Sequence, residues 1–108
     1  MATTTEQILQ KIHVLENMVR VKADTDEVLL WTVSKLVNYE TEKLKLDLDR
    51  IKGKLGRFEE RYSLDSAGFY QNFRAGELGD ETDFFEWAAL HEMYSDISAQ
   101  IEKTEVVG

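Results

Sequence analysis

The 108-residue chain contains neither cysteine nor proline. Without cysteine there is no disulfide framework, no thiolate zinc site and no cysteine nucleophile. Without proline nothing in the sequence removes a backbone donor or forces a break in a helix, so long uninterrupted helices are expected. No apolar run approaches the roughly 18 residues of a membrane span. The opening Met1-Ala2-Thr3-Thr4-Thr5 lacks the charged and apolar regions of a signal peptide. The expected setting is the cytoplasm, away from membrane. Positive charge is scarce in one part only. Residues 1–62 balance 11 acids with 11 Lys and Arg, while residues 63–108 hold 10 acids against Arg74 and Lys103. The whole net charge of −8 therefore sits in the second part. Such asymmetry fits a segment made to meet something basic, and fits equally a face charged for solubility.

What is present is a helical pattern. With 43% hydrophobic residues and 11 aromatics the chain is too apolar to stay unfolded. Its length suits one domain, residues 1–108, with a modest core. Thr3-x-x-Glu6 and Thr4-x-x-Gln7 have capping-box spacing, and Ile8, Ile12, Leu15 and Val19 follow on one helical face. This predicts a first helix over about 5–20 within an N-terminal segment 1–24, with a short extended piece allowed at Val19–Lys22. Asp24-x-x-Glu27 reads as a new start with Asp24 as cap. From there Val33, Val37, Leu44, Leu48, Ile51, Leu55, Phe58 and Tyr62 alternate steps of three and four, skipping Glu40. That is a coiled-coil seam on a helix over 25–62, roughly 55 Å long. Gly53 and Gly56 mark a bend, a close contact or mere surface.

Ser63, Asp65 and Ser66 offer caps for a short helix over 66–75, closed by Gly76. Asp80 or Thr82 caps a last helix over 82–103, whose stripe is Phe84, Trp87, Leu90 or His91, Tyr94, Ile97 and Ile101. The tail from Thr104 is expected to fray. The expected fold is all-α: a long central helix, a short connecting helix and an antiparallel C-terminal helix, assembled as an oligomeric bundle. Leu44, Leu48, Ile51, Leu55 and Phe58 form the expected oligomer seam, most simply of a homodimer.

Chemistry is harder to find. His13 and His91 stand alone, and His91-Glu92-Met93-Tyr94-Ser95 lacks the second histidine of a zinc helix. Gly76-x-x-Gly79 lacks the Lys-Ser/Thr of a phosphate loop. Glu77, Asp80, Glu81, Asp83 and Glu86 do not follow calcium-loop spacing. The bases of the long helix are interrupted by acids, against direct nucleic-acid binding. No catalytic residue, metal or cofactor is expected. The densest stretch runs from Glu77 to Trp87, with five acids and three large aromatics. A ring rimmed by carboxylates suits a hot spot against a basic pocket. Glu77, Asp80, Glu81, Asp83, Phe85, Glu86 and Trp87 form the candidate partner-binding set. The competing reading is that Phe84 and Trp87 close a small three-helix core.

The run from Asn38-Tyr39-Glu40 and Lys43-Leu44, through Phe58-Glu59-Glu60-Arg61-Tyr62, Phe69-Tyr70 and Phe73, to Gly76-Glu77-Leu78-Gly79-Asp80, Asp83-Phe84-Phe85-Glu86-Trp87 and Tyr94 resembles a family of small bacterial and archaeal proteins. The resemblance covers about residues 26–103, and its most specific pieces are G-E-L-G-D and D-F-F-E-W. Members of that family are helical and often encoded beside a small toxin-like protein. The resemblance implies the antitoxin-like half of a toxin–antitoxin pair, and carries over no catalytic residues. The expected function is thus a non-catalytic one: neutralising a small basic toxin through the acidic aromatic segment. The alternative is a structural coiled-coil scaffold.

Overall fold

The computed structural model describes residues 1–22 and 26–107. It contains four helices: α1 (Thr4–Lys22), α2 (Glu27–Tyr62), α3 (Ser66–Arg74) and α4 (Thr82–Val107). No strand occurs among the described residues, so the protein is all-α. Thr3 Oγ1 accepts the Glu6 N–H at 3.1 Å, which starts α1 as the sequence predicts. α1 then runs to Lys22, so the extended piece at Val19–Lys22 is not formed. An Arg20–Glu16 pair at 3.0 Å supports the last turn, where basic residues also suit the helix dipole. The predicted cap Asp24 lies outside the described residues. Asp26 does the capping, its Oδ1 accepting the Leu29 N–H at 3.0 Å.

The chain divides into two compact units, Met1–Val33 and Ser34–Gly108. α1 contains no buried residue. Among the described residues, every buried one belongs to the second unit. Its core is Ile51, Leu55, Phe69, Trp87, Ala88 and Leu90, with Phe58, Tyr62, Tyr70, Phe73, Leu78, Phe84, Tyr94 and Ile97 packed against it. Within this unit α4 runs antiparallel to α2: Tyr62 meets Phe84, Phe58 meets Trp87, and Lys45 meets Glu105. α3 lies close against α4.

This arrangement corrects the expected oligomer seam. Ile51 and Leu55 are buried in the chain's own core and Phe58 packs on it. Leu44 and Leu48 are half-buried. A heptad pattern marks a buried stripe without saying what buries it, so it reads equally as a face for another chain. From Ile51 onward the chain's own α3 and α4 do the burying. Gly53 and Gly56 are helical, and a Cβ at either would meet nothing within 4 Å.

The connections are specific. α2 ends with Ser63 in the left-handed region at φ 52°, while the Leu64 N–H reaches back to the Glu59 carbonyl. Asp65 caps α3, its carboxylate accepting the Gly68 N–H at 2.6 Å. At the other end Gly76 adopts φ +74°, with the Gly76 N–H bonded to the Phe73 carbonyl and the Glu77 N–H to the Asn72 carbonyl. Both bonds satisfy carbonyls that a helix end otherwise leaves open, in the paired pattern that favours glycine at this position. α4 continues past residue 103 to Val107, so the expected fraying from Thr104 is not seen. Thr104 bonds back to the Gln100 carbonyl, and Glu105 reaches Lys45 at 3.8 Å.

Candidate functional site

The segment Glu77–Trp87 leaves α3, turns, and enters the first turns of α4. Trp87, at its far end, faces inward and has no exposed surface. Its ring stacks on Phe69 with centroids 3.8 Å apart, and lies 5.6 Å from both Phe58 and Tyr62. Its indole Nε1–H donates to Ser66 Oγ at 2.9 Å, which satisfies the one polar atom that burial would strand. Trp87 is therefore a core residue, and leaves the partner-binding set. The stripe position it occupies in α4 points inward, while Glu86 beside it is exposed.

Asp83 is half-buried and engaged within the chain. Its Oδ2 accepts from the Tyr62 hydroxyl at 2.7 Å and from Arg61 Nη1 at 2.8 Å. The Tyr62 hydrogen bond, and after it the Arg61 guanidinium, hold the Asp83 carboxyl below its ordinary range against a burial effect that pushes the other way. Hydrogen bonding to Asp83 in turn raises the Tyr62 hydroxyl and the Arg61 guanidinium above their ordinary values. Asp83 thus fastens the start of α4 to the end of α2, and is withdrawn from the outward face.

The rest of the set stays outside. Glu77, Asp80, Glu81, Phe85 and Glu86 are exposed. None of these four carboxylates forms an ion pair among the described residues. Phe85 keeps 56% of its surface in solvent, although it sits edge-on to Phe73 at 5.5 Å. Neighbouring positions on a helix cannot share a face closely, so packing Phe84 and Trp87 inward turns Phe85 outward.

Sequence reasoning missed the polar joints that hold this head together. Glu59 accepts the Ser66 N–H at 2.8 Å, tying the end of α2 to the first turn of α3. Tyr70 donates to Glu92 across α3 and α4, which raises its own hydroxyl pKa. These joints link residues 7 and 22 apart, and no local periodicity signals them.

Four of the eight basic residues of α2 form ion pairs within the chain, Arg61 with Asp83 among them. Lys43 pairs with Glu40, Arg50 with Asp47, and Lys45 with Glu42 and Glu105. A recess of about 320 Å³ between α2 and α4 places Lys54, Arg57 and Arg61 near Asp83 and Glu86. With cations and carboxylates on the same walls, it offers no strongly positive track for a nucleic-acid backbone. Among the described residues no helix is long and apolar enough to cross a membrane. No family model, curated protein or solved structure matches the chain in comparisons with known proteins.

Proposed function

We infer that this is a non-catalytic protein-binding protein, antitoxin-like in action, whose docking face is Phe85 with Glu77, Asp80, Glu81 and Glu86. The observation that carries the reading is Phe85: a large ring more than half in solvent, in a segment whose carboxylates Glu77, Asp80, Glu81 and Glu86 are all exposed and form no ion pair among the described residues. An exposed apolar anchor in a segment of one sign of charge suits a pocket of the opposite sign, where the ring supplies affinity and the charges supply steering and selectivity. A small basic nuclease presents such a pocket, and carboxylates there occupy the place of substrate phosphates. The aromatic core beneath the segment supports the reading physically, because a docking group on a rigid base loses less entropy when it binds.

The test is the product of the neighbouring gene. Expressed alone it is expected to arrest growth, and expressed with this chain it is expected to be harmless and to co-purify. Replacing Asp80 and Glu81 by Lys, together with Phe85→Ala, should abolish capture while leaving the fold intact, since none of the three belongs to the core. Asp83 is unsuitable for such a reversal, being part of the α2–α4 joint. A harmless neighbour that never binds would remove the reading.

A second reading, that of a structural self-association module, is favoured by the first unit. Nothing in α1 is buried, and its apolar side chains stand in solvent. The two readings make use of different parts of the molecule.

A further inference from the structure

We propose that Met1–Val33 is a self-association module: a second copy of this chain packs on it, with α1 of one copy antiparallel to α1 of the other. The inference does not depend on the acidic face or on what it binds.

The first observation is the lack of a core among the described residues of this unit. The exposed large hydrophobics include 13 residues of Met1–Val33 and only seven of the remaining described chain. Two joined helices that bury nothing are marginal on their own, because helix stability in water comes mostly from packing an apolar face. Between α1 and the first turns of α2 lies an open groove of about 630 Å³, with Ile12, Leu15, Val19, Leu29, Leu30 and Val33 as its apolar lining.

The second observation identifies the occupant. Ile8, Ile12, Leu15 and Val19 are spaced by four, three and four, a series that reads the same in both directions. Laid antiparallel on itself, it sets Ile8 opposite Val19 and Ile12 opposite Leu15, twice over. That is the condition for an isologous two-fold interface. Charge agrees with the direction. α1 is acidic in its first turn at Glu6 and basic in its last at Arg20 and Lys22. An antiparallel pair brings the acidic end of one copy to the basic end of the other, and opposes the two helix dipoles favourably. A parallel pair would place like charge against like. Residues 1–33 carry five acids and three bases, whereas residues 63–108 carry the full −8, so contact through the first unit brings the less charged surfaces together.

The absence of native cysteine makes single cysteines a clean probe of the arrangement. Full-length protein should sediment as a dimer at micromolar concentration, and Ile12→Glu should weaken the dimer by at least about 100-fold, as expected for truncating or charging a central anchor. Because a glutamate could disturb α1 itself, the geometry is tested with Ile8→Cys and Val19→Cys, both exposed positions. Co-expressed and oxidised, the two variants should cross-link to one another. Each alone should not, since the two copies of either position lie at opposite ends of the pair. Cross-linking of each variant alone would establish a parallel pair and overturn the proposal. A wild-type chain that remains monomeric would overturn it as well, and leave the groove to a different partner.

Discussion

At the scale of single residues, Trp87 and Phe85 show how far sequence can assign direction. Both lie in the same acidic stretch, two positions apart. One is sealed against Phe69 and bonded to Ser66, the other stands more than half in solvent. The helical stripe assigns both correctly, and local charge assigns only Phe85. Asp83 lies beyond either signal, because its partners Arg61 and Tyr62 are 22 and 21 residues away. Its chemistry gives a pH-dependent joint. The carboxyl is held below its ordinary range, so the stability it contributes is complete above that range and is lost as pH falls through the lower folded value. Tyr62→Phe removes the hydrogen bond that lowers it most. Thermal midpoints of wild type and Tyr62→Phe should differ most above the ordinary carboxylate range and converge as pH falls through the lowered folded value, where the carboxyl becomes protonated in both folded and unfolded chains. A gap of constant size across that range would mean that the hydroxyl acts without regard to the charge of Asp83.

At the scale of elements, all four helices are legible from periodicity and caps, and their ends are less so. α3 starts after Asp65, one of three candidate caps, and ends at the predicted glycine, because caps and left-handed turns are local chemistry. α4 outruns its expected end, and Glu105 there lies 3.8 Å from Lys45 on α2, a partner far earlier in the chain that no local pattern signals. The helical glycines divide by what surrounds them. Gly53 and Gly56 have open space where a Cβ would go, so Gly53→Ala and Gly56→Ala should each stabilise the protein by about 1 kcal/mol, the difference in helix propensity. Gly68 has the same helical setting in sequence, but a Cβ there would lie 2.7 Å from Asp65 Oδ1. Gly68→Ala must displace the capping carboxylate, whose loss costs about 1 kcal/mol and offsets the propensity gain, with the crowding added to it. Urea melts of the three variants should show two midpoints above wild type and one below. A rise for Gly68→Ala would show that the cap re-forms around the methyl group.

At the scale of the whole molecule, the heptad seam carries the main lesson. One continuous pattern from Val33 to Tyr62 serves two environments: Val33 and Val37 are exposed, Ile51 and Leu55 are buried. Pattern alone could not divide it, because the dividing agent is α3 and α4, which return to cover only the later part of α2. The consequence is that the second unit should fold without the first. It holds every buried residue described, including Thr41 near its beginning, and its polar joints lie wholly within it. A chain beginning at Ser34 also loses Trp31, which is 61% exposed, leaving Trp87 as its only tryptophan. Its emission should be that of a buried indole, and should shift red in a single cooperative step with urea, at a midpoint close to the one that far-UV circular dichroism reports. Emission already red in the absence of denaturant would show that the aromatic core needs Met1–Val33. Cooperative unfolding of a truncated chain that sediments as a monomer would instead assign folding to Ser34–Gly108 and leave self-association to the residues removed.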